Sequence, residues 1–395
     1  MSADLDNEPP QPRVGLLIAT HLGVGRDTLM GIARYVRENG PWALHLEMRT
    51  QYAESWVPKW LERWQGDGII ARFENEFLLK TVERAEVPAI DVLGTQRNCK
   101  FPRVLVDDTA IGQMAADHLL QRGFRQFAFV ARPEEAWSDR RLDAFRNTVG
   151  TQGFECQVLP AGDRDQLPET WDAFIDQAAR WLERLPKPMG LMLCCDRLGP
   201  PIMQACRRAS INVPEEVAII GVDNEEVVCA MCDPPLTSVC PNSERVGYQA
   251  AALLERMMAG EPWPTEPILV QPRTVIVRQS SDIAAVEDPV VSTALSLIRE
   301  RSCNGLQVKD VVDRVPLSHS VLQKRFRAAL GRSVHEEIVR VQLAKAQELL
   351  KETDMPIRTV AERAGFKHQE YMGAVFRARL NVTPRQFRRR HQGLR

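Results

Sequence analysis

The last hundred or so residues carry one unit twice, about 50 positions apart, and this repeat constrains the fold more than any other feature of the chain. Leu322 to Gly331 aligns with Met372 to Asn381, so an apolar i, i+4, i+8 stripe recurs as Leu322, Phe326, Leu330 and as Met372, Phe376, Leu380. Such a stripe is one face of a helix, and Gly or Asn at its end tolerates the left-handed C-cap. A shorter periodic segment precedes each copy, with Val308, Val311, Val312 and Val315 in the first and Ile357, Val360, Ala361 and Ala364 in the second. The joints, Pro316-Leu317-Ser318 and Gly365-Phe366-Lys367, are tight. The pattern predicts a helix-turn-helix in each copy, the arrangement that lays its second helix in a DNA major groove.

Charge is partitioned in the same way. Residues 290–395 hold 21 of the 51 Lys+Arg and 10 of the 52 Asp+Glu, which makes the tail +11 and the preceding body −12. A basic tail on an acidic body is the footprint of a phosphate-backbone binder. The bland alternative is a solvated charged bundle.

At 395 residues and 44% hydrophobic content, the chain can bury two or three cores. No apolar run approaches 18 residues and no basic start precedes an apolar stretch, so a soluble, cytoplasmic chain with no membrane partner is expected. Nine cysteines are scattered, and the one Cys-x-x-Cys, Cys229 to Cys232, lacks a second ligand pair, which points to reduced thiols rather than a metal site. There is no His-Glu-x-x-His and no Gly-x-Ser-x-Gly, and Gly23-Val24-Gly25-Arg26 is too short for a phosphate loop. Nothing recommends an enzyme, and no cofactor is expected.

Residues 12 to about 280 alternate strand and helix patterns. The runs Val14–Ala19, Gly68–Ala71, Val87–Val92, Phe127–Val130, Gly190–Leu193 and Val217–Val222 read as buried parallel strands. Amphipathic stretches lie between them: Asp27–Arg37, Ala110–Gln121, Arg140–Val149, Trp171–Leu185 and Leu198–Ala209. There are too many units for one ordinary sheet, so the expectation is a doubly wound α/β body of two lobes with a cleft at the carboxyl ends of the strands. The predicted division is a disordered 1–11, a sensor domain at 12–280, a linker at 281–289 and an all-α reader at 290–395 with two helix-turn-helix motifs. Ser280 to Pro289, polar and closed by Pro289, reads as the hinge.

Two family resemblances follow. Met355-Pro356-Ile357, Val360-Ala361, Ala364-Gly365-Phe366, Phe376-Arg377 and Val382-Thr383-Pro384-Arg385-Gln386-Phe387 make residues 305–390 resemble an AraC-type DNA-binding domain. Val217 to Asn224 and Val104 to Asp108 make the body resemble the sugar-binding body of lactose-repressor-type regulators, itself similar to periplasmic sugar-binding proteins. The combination resembles the xylose-operon activator family, with Gly221 to Glu226, Val246 to Ala251, Ile268-Leu269-Val270 and Ser292 to Lys309 contributing. The resemblance implies a DNA-binding regulator switched by a pentose, a homodimer, and contact with RNA polymerase if it activates. Pro316, where that family places glycine, and Ala374, where relatives carry a longer side chain, depart from the pattern.

A neutral sugar needs paired carboxylates and a guanidinium for bidentate hydrogen bonds, and an aromatic face for its C–H side. Asp223, just past a buried strand, fits, and Asp196 has the same strand-end position. The resemblance implies that Asp223 and Arg141, four residues before Phe145, face the sugar. Arg26 and His21 sit after the first strand, and Trp137 is the stacking candidate. The alternative for Asp223 is a turn or N-cap carboxylate. Trp56, Trp60, Trp64, Trp171 and Trp181, at helical spacing, read as packing residues.

In the tail, recognition helices are expected at Ser318–Leu330 and His368–Leu380. Opposite their stripes lie His319, Ser320, Gln323 and Lys324, and His368, Gln369, Glu370 and Ala374, types that can read base edges. Lys324 and Arg325 could equally bind phosphate. Arg327, Arg332, Arg377, Arg379, Arg385 and Arg388 read as backbone contacts, which position without specifying. A helix from Val334 to Leu350, roughly 25 Å long, would set the two readers in successive major grooves about 34 Å apart. The competing functions are a repressor responding to another monosaccharide, a sugar-binding module whose tail docks a protein, and an α/β enzyme acting on a sugar. The basic repeat argues against the docking module, and the missing catalytic constellation against the enzyme.

Overall fold

The structure is a computed structural model that describes residues 11–47, 57–96, 98–133, 135–160, 171–283, 285–286 and 288–392. Residues 1–10 and Trp56 lie outside the described residues. The chain divides into two compact units, Met1–Ile283 and Ala284–Arg395.

The first unit begins with β1 (Arg13–Leu17), α1 (Gly23–Asn39), β2 (Ala43–Leu46), β3 (Gly68–Ala71), α2 (Glu76–Arg84), β4 (Ala89–Asp91) and β5 (Val104–Val106). Strands β1–β4 form a parallel sheet in the order β2-β1-β3-β4. The chain then enters a second lobe with α3 (Asp108–Leu120), β6 (Gln126–Ala131), α4 (Ala136–Gly150), β7 (Cys156–Pro160), α5 (Trp171–Arg184), β8 (Met189–Leu193), α6 (Gly199–Arg208), β9 (Val217–Val222), α7 (Glu226–Met231) and β10 (Thr237–Cys240). It returns to the first lobe for α8 (Ser243–Met258) and β11 (Ile268–Val270), and crosses again for β12 (Thr274–Ile276). The second sheet runs β12-β10-β9-β8-β6-β7, with β12 alone antiparallel to its neighbour. This is a two-lobed, doubly wound α/β body.

Helices cover both faces of these sheets, which is why β3, β8 and β9 are buried at every residue and appear in the sequence as unbroken apolar runs. The return of α8 completes the first lobe's core, where Val246, Ala250 and Leu254 join Val14, Leu16 and Ile32. Trp60 and Trp64 pack as expected, their rings 5.0 Å apart. The run expected at 87–92 contracts to the three residues of β4. Strand β2 lacked a sequence signal because it is an exposed edge. The unit continues past the expected boundary at 280, and Ser280 and Ser281 are fully buried in it. Their hydroxyls are held by the Ile219 carbonyl at 2.6 Å and by Thr237 Oγ1 at 2.9 Å, so these two residues are body rather than hinge.

The second unit is helical: α9 (Pro289–Arg301), α10 (Val308–Val312), α11 (His319–Leu330), α12 (Val334–Glu352), α13 (Ile357–Arg363), α14 (Gln369–Leu380) and α15 (Pro384–Gln392). Helix α9, which the sequence pattern did not single out, starts on Pro289 with Asp288 capping the Val290 N–H at 2.9 Å. Helices α10–α11 and α13–α14 are the two helix-turn-helix units. Their second helices begin one residue after the expected Ser318 and His368, which stand at the N-cap positions, and end on Gly331 and Asn381 with φ of 68° and 55°. The stripe residues Leu322, Phe326, Met372 and Phe376 are fully buried. Helix α12 runs two residues beyond the expected Leu350 and opens with a Ser333–Glu336 capping box. From its middle, Gln342 Nε2 donates to the Ser302 carbonyl at 3.0 Å and the Gly365 carbonyl at 2.8 Å, which fastens the two halves together.

Candidate functional site

A cavity of about 620 Å3 lies between the lobes of the first unit. Arg72 and Glu74 follow β3 and His21 follows β1 on one side, while Arg132 follows β6, Asp196 follows β8 and Asp223 follows β9 on the other. Carboxyl ends of parallel strands converge there, and those ends are where open α/β sheets bind ligands.

Arg141, on the buried face of α4, is the fixed point of the wall. Its Nε donates to Asp108 Oδ1 at 2.8 Å and its Nη1 to the Cys194 carbonyl at 2.7 Å, with Asp223 Oδ1 at 3.7 Å from the same nitrogen. Asp108 also takes two bonds from Arg140, at 3.0 and 2.8 Å. These carboxylates outweigh the desolvation of Arg141 and raise its pKa. Asp223 is pushed up to about 6, by burial first, while Arg141 and Arg72 pull it down and Asp108 and Glu225 oppose its charge. Asp223 and Asn224 both have positive φ, 108° and 48°, a backbone cost seen where a turn is held for function.

Asp196 is fully buried. Its Oδ2 accepts from Ser238 Oγ at 2.9 Å, from the Glu225 N–H at 2.9 Å and from the Cys229 thiol at 3.3 Å, while its Oδ1 has no protein partner. Burial, and then the Asp223 charge, raise its pKa well above its ordinary value, against the hydrogen bonds from Ser238, the Glu225 N–H and Cys229 that lower it. Trp137 lines the cavity, but Arg141 lies over its ring, 4.9 Å from the centroid, and its Nε1 donates to Glu135 at 2.7 Å. It therefore braces the guanidinium with the face expected for stacking. Burial, with Arg197, Arg72 and Arg26 against Glu74, lowers the pKa of His21. Arg26 does not line the cavity: it sits in α1, donating to Glu225 Oε1 at 2.6 Å and to the Thr20 carbonyl at 3.2 Å.

In the second unit, His319, Ser320, Lys324 and Arg327 on α11 are exposed, as are Gln369, Glu370, Ala374, Arg377 and Arg379 on α14, the α14 cap His368, and Arg385 on α15. Three of the residues expected to contact DNA are less exposed and bonded within the protein. Gln323 is half-buried, its Oε1 accepting from the Val334 N–H at 3.4 Å. Arg332 pairs with the buried Glu337, and Arg388 donates to the Met355 carbonyl at 2.6 Å.

Known proteins resemble both units of the chain. Residues 13–109 match the XylR N-terminal domain, 116–281 the periplasmic binding protein-like domain and 311–390 the helix-turn-helix domain. The xylose operon regulatory protein of Escherichia coli strain K12 is 31% identical over 384 residues, covering 95% of this chain and 96% of that protein. The chain belongs to the xylose operon regulatory protein family. The xylose operon regulatory protein of Haemophilus influenzae is 29% identical over 95% of the chain and 98% of its own length. The solved structure of the xylose-binding transcription activator xylR superposes with a TM-score of 0.82 at 30% identity, covering 96% of this chain and 98% of the other. The CelR–cellobiose complex, at 21% identity and a TM-score of 0.56 over 69% of this chain, shares the fold of the body. As in its xylose-operon relatives, which are transcription regulators, a sugar-binding-type body is joined here to a DNA-reading domain.

Sequence reasoning missed Arg72, Glu74, Arg132 and Glu225 in this family member's cavity. Each lies within three residues of a parallel strand's carboxyl end, and that position alone was the available signal. Among the described residues no group of three His, Cys, Asp or Glu is placed to hold a metal, and no helix is long and apolar enough to cross a membrane.

Proposed function

We propose that this chain is a transcription activator that binds a xylose-type pentose in the cleft of its body and operator DNA through its twin helix-turn-helix unit, as a homodimer that contacts RNA polymerase. The observation that carries the sugar half is the fixed Arg141 guanidinium facing Asp223 across the cavity wall. Adjacent sugar hydroxyls donate to the Asp223 carboxylate and accept from the Arg141 fork, whose remaining bonds to Asp108 and Cys194 hold it in place without cost at the moment of binding. Asp196 adds a buried carboxyl at the same wall, and Arg72 with Glu74 presents the first lobe's polar groups from the other side. A ligand touching both lobes stabilises the closed arrangement by its differential affinity, and that shift is what the DNA domain reads.

The DNA half rests on the exposed faces of α11 and α14, with Gln369 and Lys324 reading bases and Arg377, Arg379 and Arg385 gripping phosphates. The test is a panel of pentoses and hexoses in thermal shift, followed by fluorescence anisotropy with a duplex selected from a random pool. Xylose is expected to raise Tm and change DNA affinity. A Tm rise with a hexose alone, or no salt-sensitive DNA binding, would overturn the reading.

A further inference from the structure

We propose that Arg278 is a positioning residue that couples the sugar-facing turn to the end of the body, so that occupancy of the cleft reaches the segment leading to the DNA domain. The proposal rests on the reading of the body as a sugar sensor and adds the route by which it signals.

Three consecutive residues of the turn after β9 face three different places. Asp223 lines the cavity opposite Arg141. Glu225 crosses to the first lobe, where its carboxylate accepts from the Gly23 N–H at the start of α1 and from Arg26. Asn224, between them, turns the other way: its N–H donates to Ser238 Oγ at 2.9 Å and its side-chain carbonyl accepts from Arg278 Nη2 at 2.8 Å. A ligand on Asp223, or a lobe movement acting on Glu225, therefore displaces Asn224.

Arg278 passes that displacement on. Its Nη1 donates to the Leu236 carbonyl at 3.0 Å, its backbone N–H donates to Thr237 Oγ1 at 2.8 Å, and Thr237 Oγ1 donates back to the Arg278 carbonyl at 2.9 Å. Thr237 Oγ1 also receives Ser281 Oγ at 2.9 Å, and Ser281 Oγ lies 2.8 Å from His118 Nε2. Arg122 Nε closes the chain on the Ser281 carbonyl at 2.8 Å, two residues before the unit ends at Ile283. Thr237, Ser238, Ser280 and Ser281 are fully buried, so no water replaces a bond lost among them. A polar network sealed in this way has a few satisfied arrangements rather than a continuum, which lets a small shift at Asn224 re-set Ser281.

The full chain tests this with Arg278→Ala, Arg278→Lys and Asn224→Gly, the last keeping the left-handed backbone while removing the acceptor. The readouts are the xylose-induced Tm rise, the sugar-free affinity for the selected duplex, and the ratio of duplex affinities with and without xylose. Arg278→Ala and Asn224→Gly are expected to keep the Tm rise and a sugar-free affinity within about threefold of wild type. The affinity ratio, about 5- to 150-fold in a typical allosteric protein, should fall below about twofold in both, and Arg278→Lys should restore part of it. A wild-type ratio in both variants overturns the proposal. So does loss of the Tm rise in both, which would make these residues supports of the pocket alone. If wild type itself shows no xylose response, the sensor reading fails, and the variants then show nothing further to be coupled.

Discussion

The guanidinium of Arg141 stands 3.7 Å from the carboxylate of Asp223, and the one is immobilised by Asp108 while the other is held on a left-handed turn. Neither side chain has to be organised by the ligand, so the entropy of placing them is spent in folding rather than in binding.

Replacing either partner should remove the sugar response. Asp223→Ala and Arg141→Ala are expected to abolish the xylose-induced Tm rise, since each leaves sugar groups or protein groups unpaired at about 1–3 kcal/mol apiece. Asp223→Asn, close in shape, should weaken binding less. Sugar-free DNA affinity of the Asp223 variants should stay near wild type. Undiminished sugar affinity in both alanine variants would remove this pair from the site.

The same pair sets a pH dependence. Burial raises Asp223 to about 6, above the ordinary 3.8, so this group contributes stability that is present below about pH 3.8 and lost as the pH rises through about 6. Sugar binding runs the other way, because hydroxyl donors require the carboxylate. Calorimetric xylose affinity should be constant above pH 6 and fall by up to about tenfold per unit below it. Asp223→Asn should flatten the profile, and an unchanged slope in that variant would assign the titration elsewhere.

Glu337 anchors the first reader. It is 2% exposed, with Arg332 and Arg340 donating to it from the surface, and despite the burial that would raise it they hold its pKa below 4.5. A depressed carboxylate contributes stability above its unfolded value that is lost as the pH falls, so Glu337→Gln should destabilise at pH 7 and progressively less toward pH 4. The cost is about 1–3 kcal/mol, kept modest because both arginines remain solvated. Arg332→Ala should lower the denaturation midpoint as well, which a residue gripping only phosphate would not do.

Gly365 has φ of 83°, and a Cβ there would strike the Ser302 carbonyl, the group that Gln342 ties to Gly365 itself. Gly365→Ala is expected to separate the two helix-turn-helix halves and lower DNA affinity by at least tenfold, roughly 1.4 kcal/mol, while sugar-dependent stabilisation of the body persists. Unaltered DNA binding would mean that the spacing of the halves is not set at this contact.

Readout on DNA separates bases from backbone. Gln369→Ala should relax preference at one position of the selected duplex, worth about 1–3 kcal/mol of discrimination. Arg377→Ala and Arg385→Ala should weaken all sequences together and reduce the salt slope by about one unit per contact. The reverse pattern would exchange the assigned faces.

The sequence by itself determined what is local. Leu322, Phe326 and Leu330 with Gly331, and Met372, Phe376 and Leu380 with Asn381, set both recognition helices and their ends, because apolar period and left-handed tolerance are properties of a few neighbouring residues. The buried strands β3 and β9 were legible for the same reason, being apolar along their whole length. Only the tertiary structure decided what depends on residues far apart in the chain: that α8 returns to complete the first lobe's core, that Glu225 reaches Gly23, that Ser281 belongs to the body, and that Gln323, Arg332 and Arg388 are bonded to protein partners. A side chain's type announces which bonds it can make. Which of those bonds it does make is fixed by whatever packing brings within 3 Å of it, and no window of sequence contains that distance.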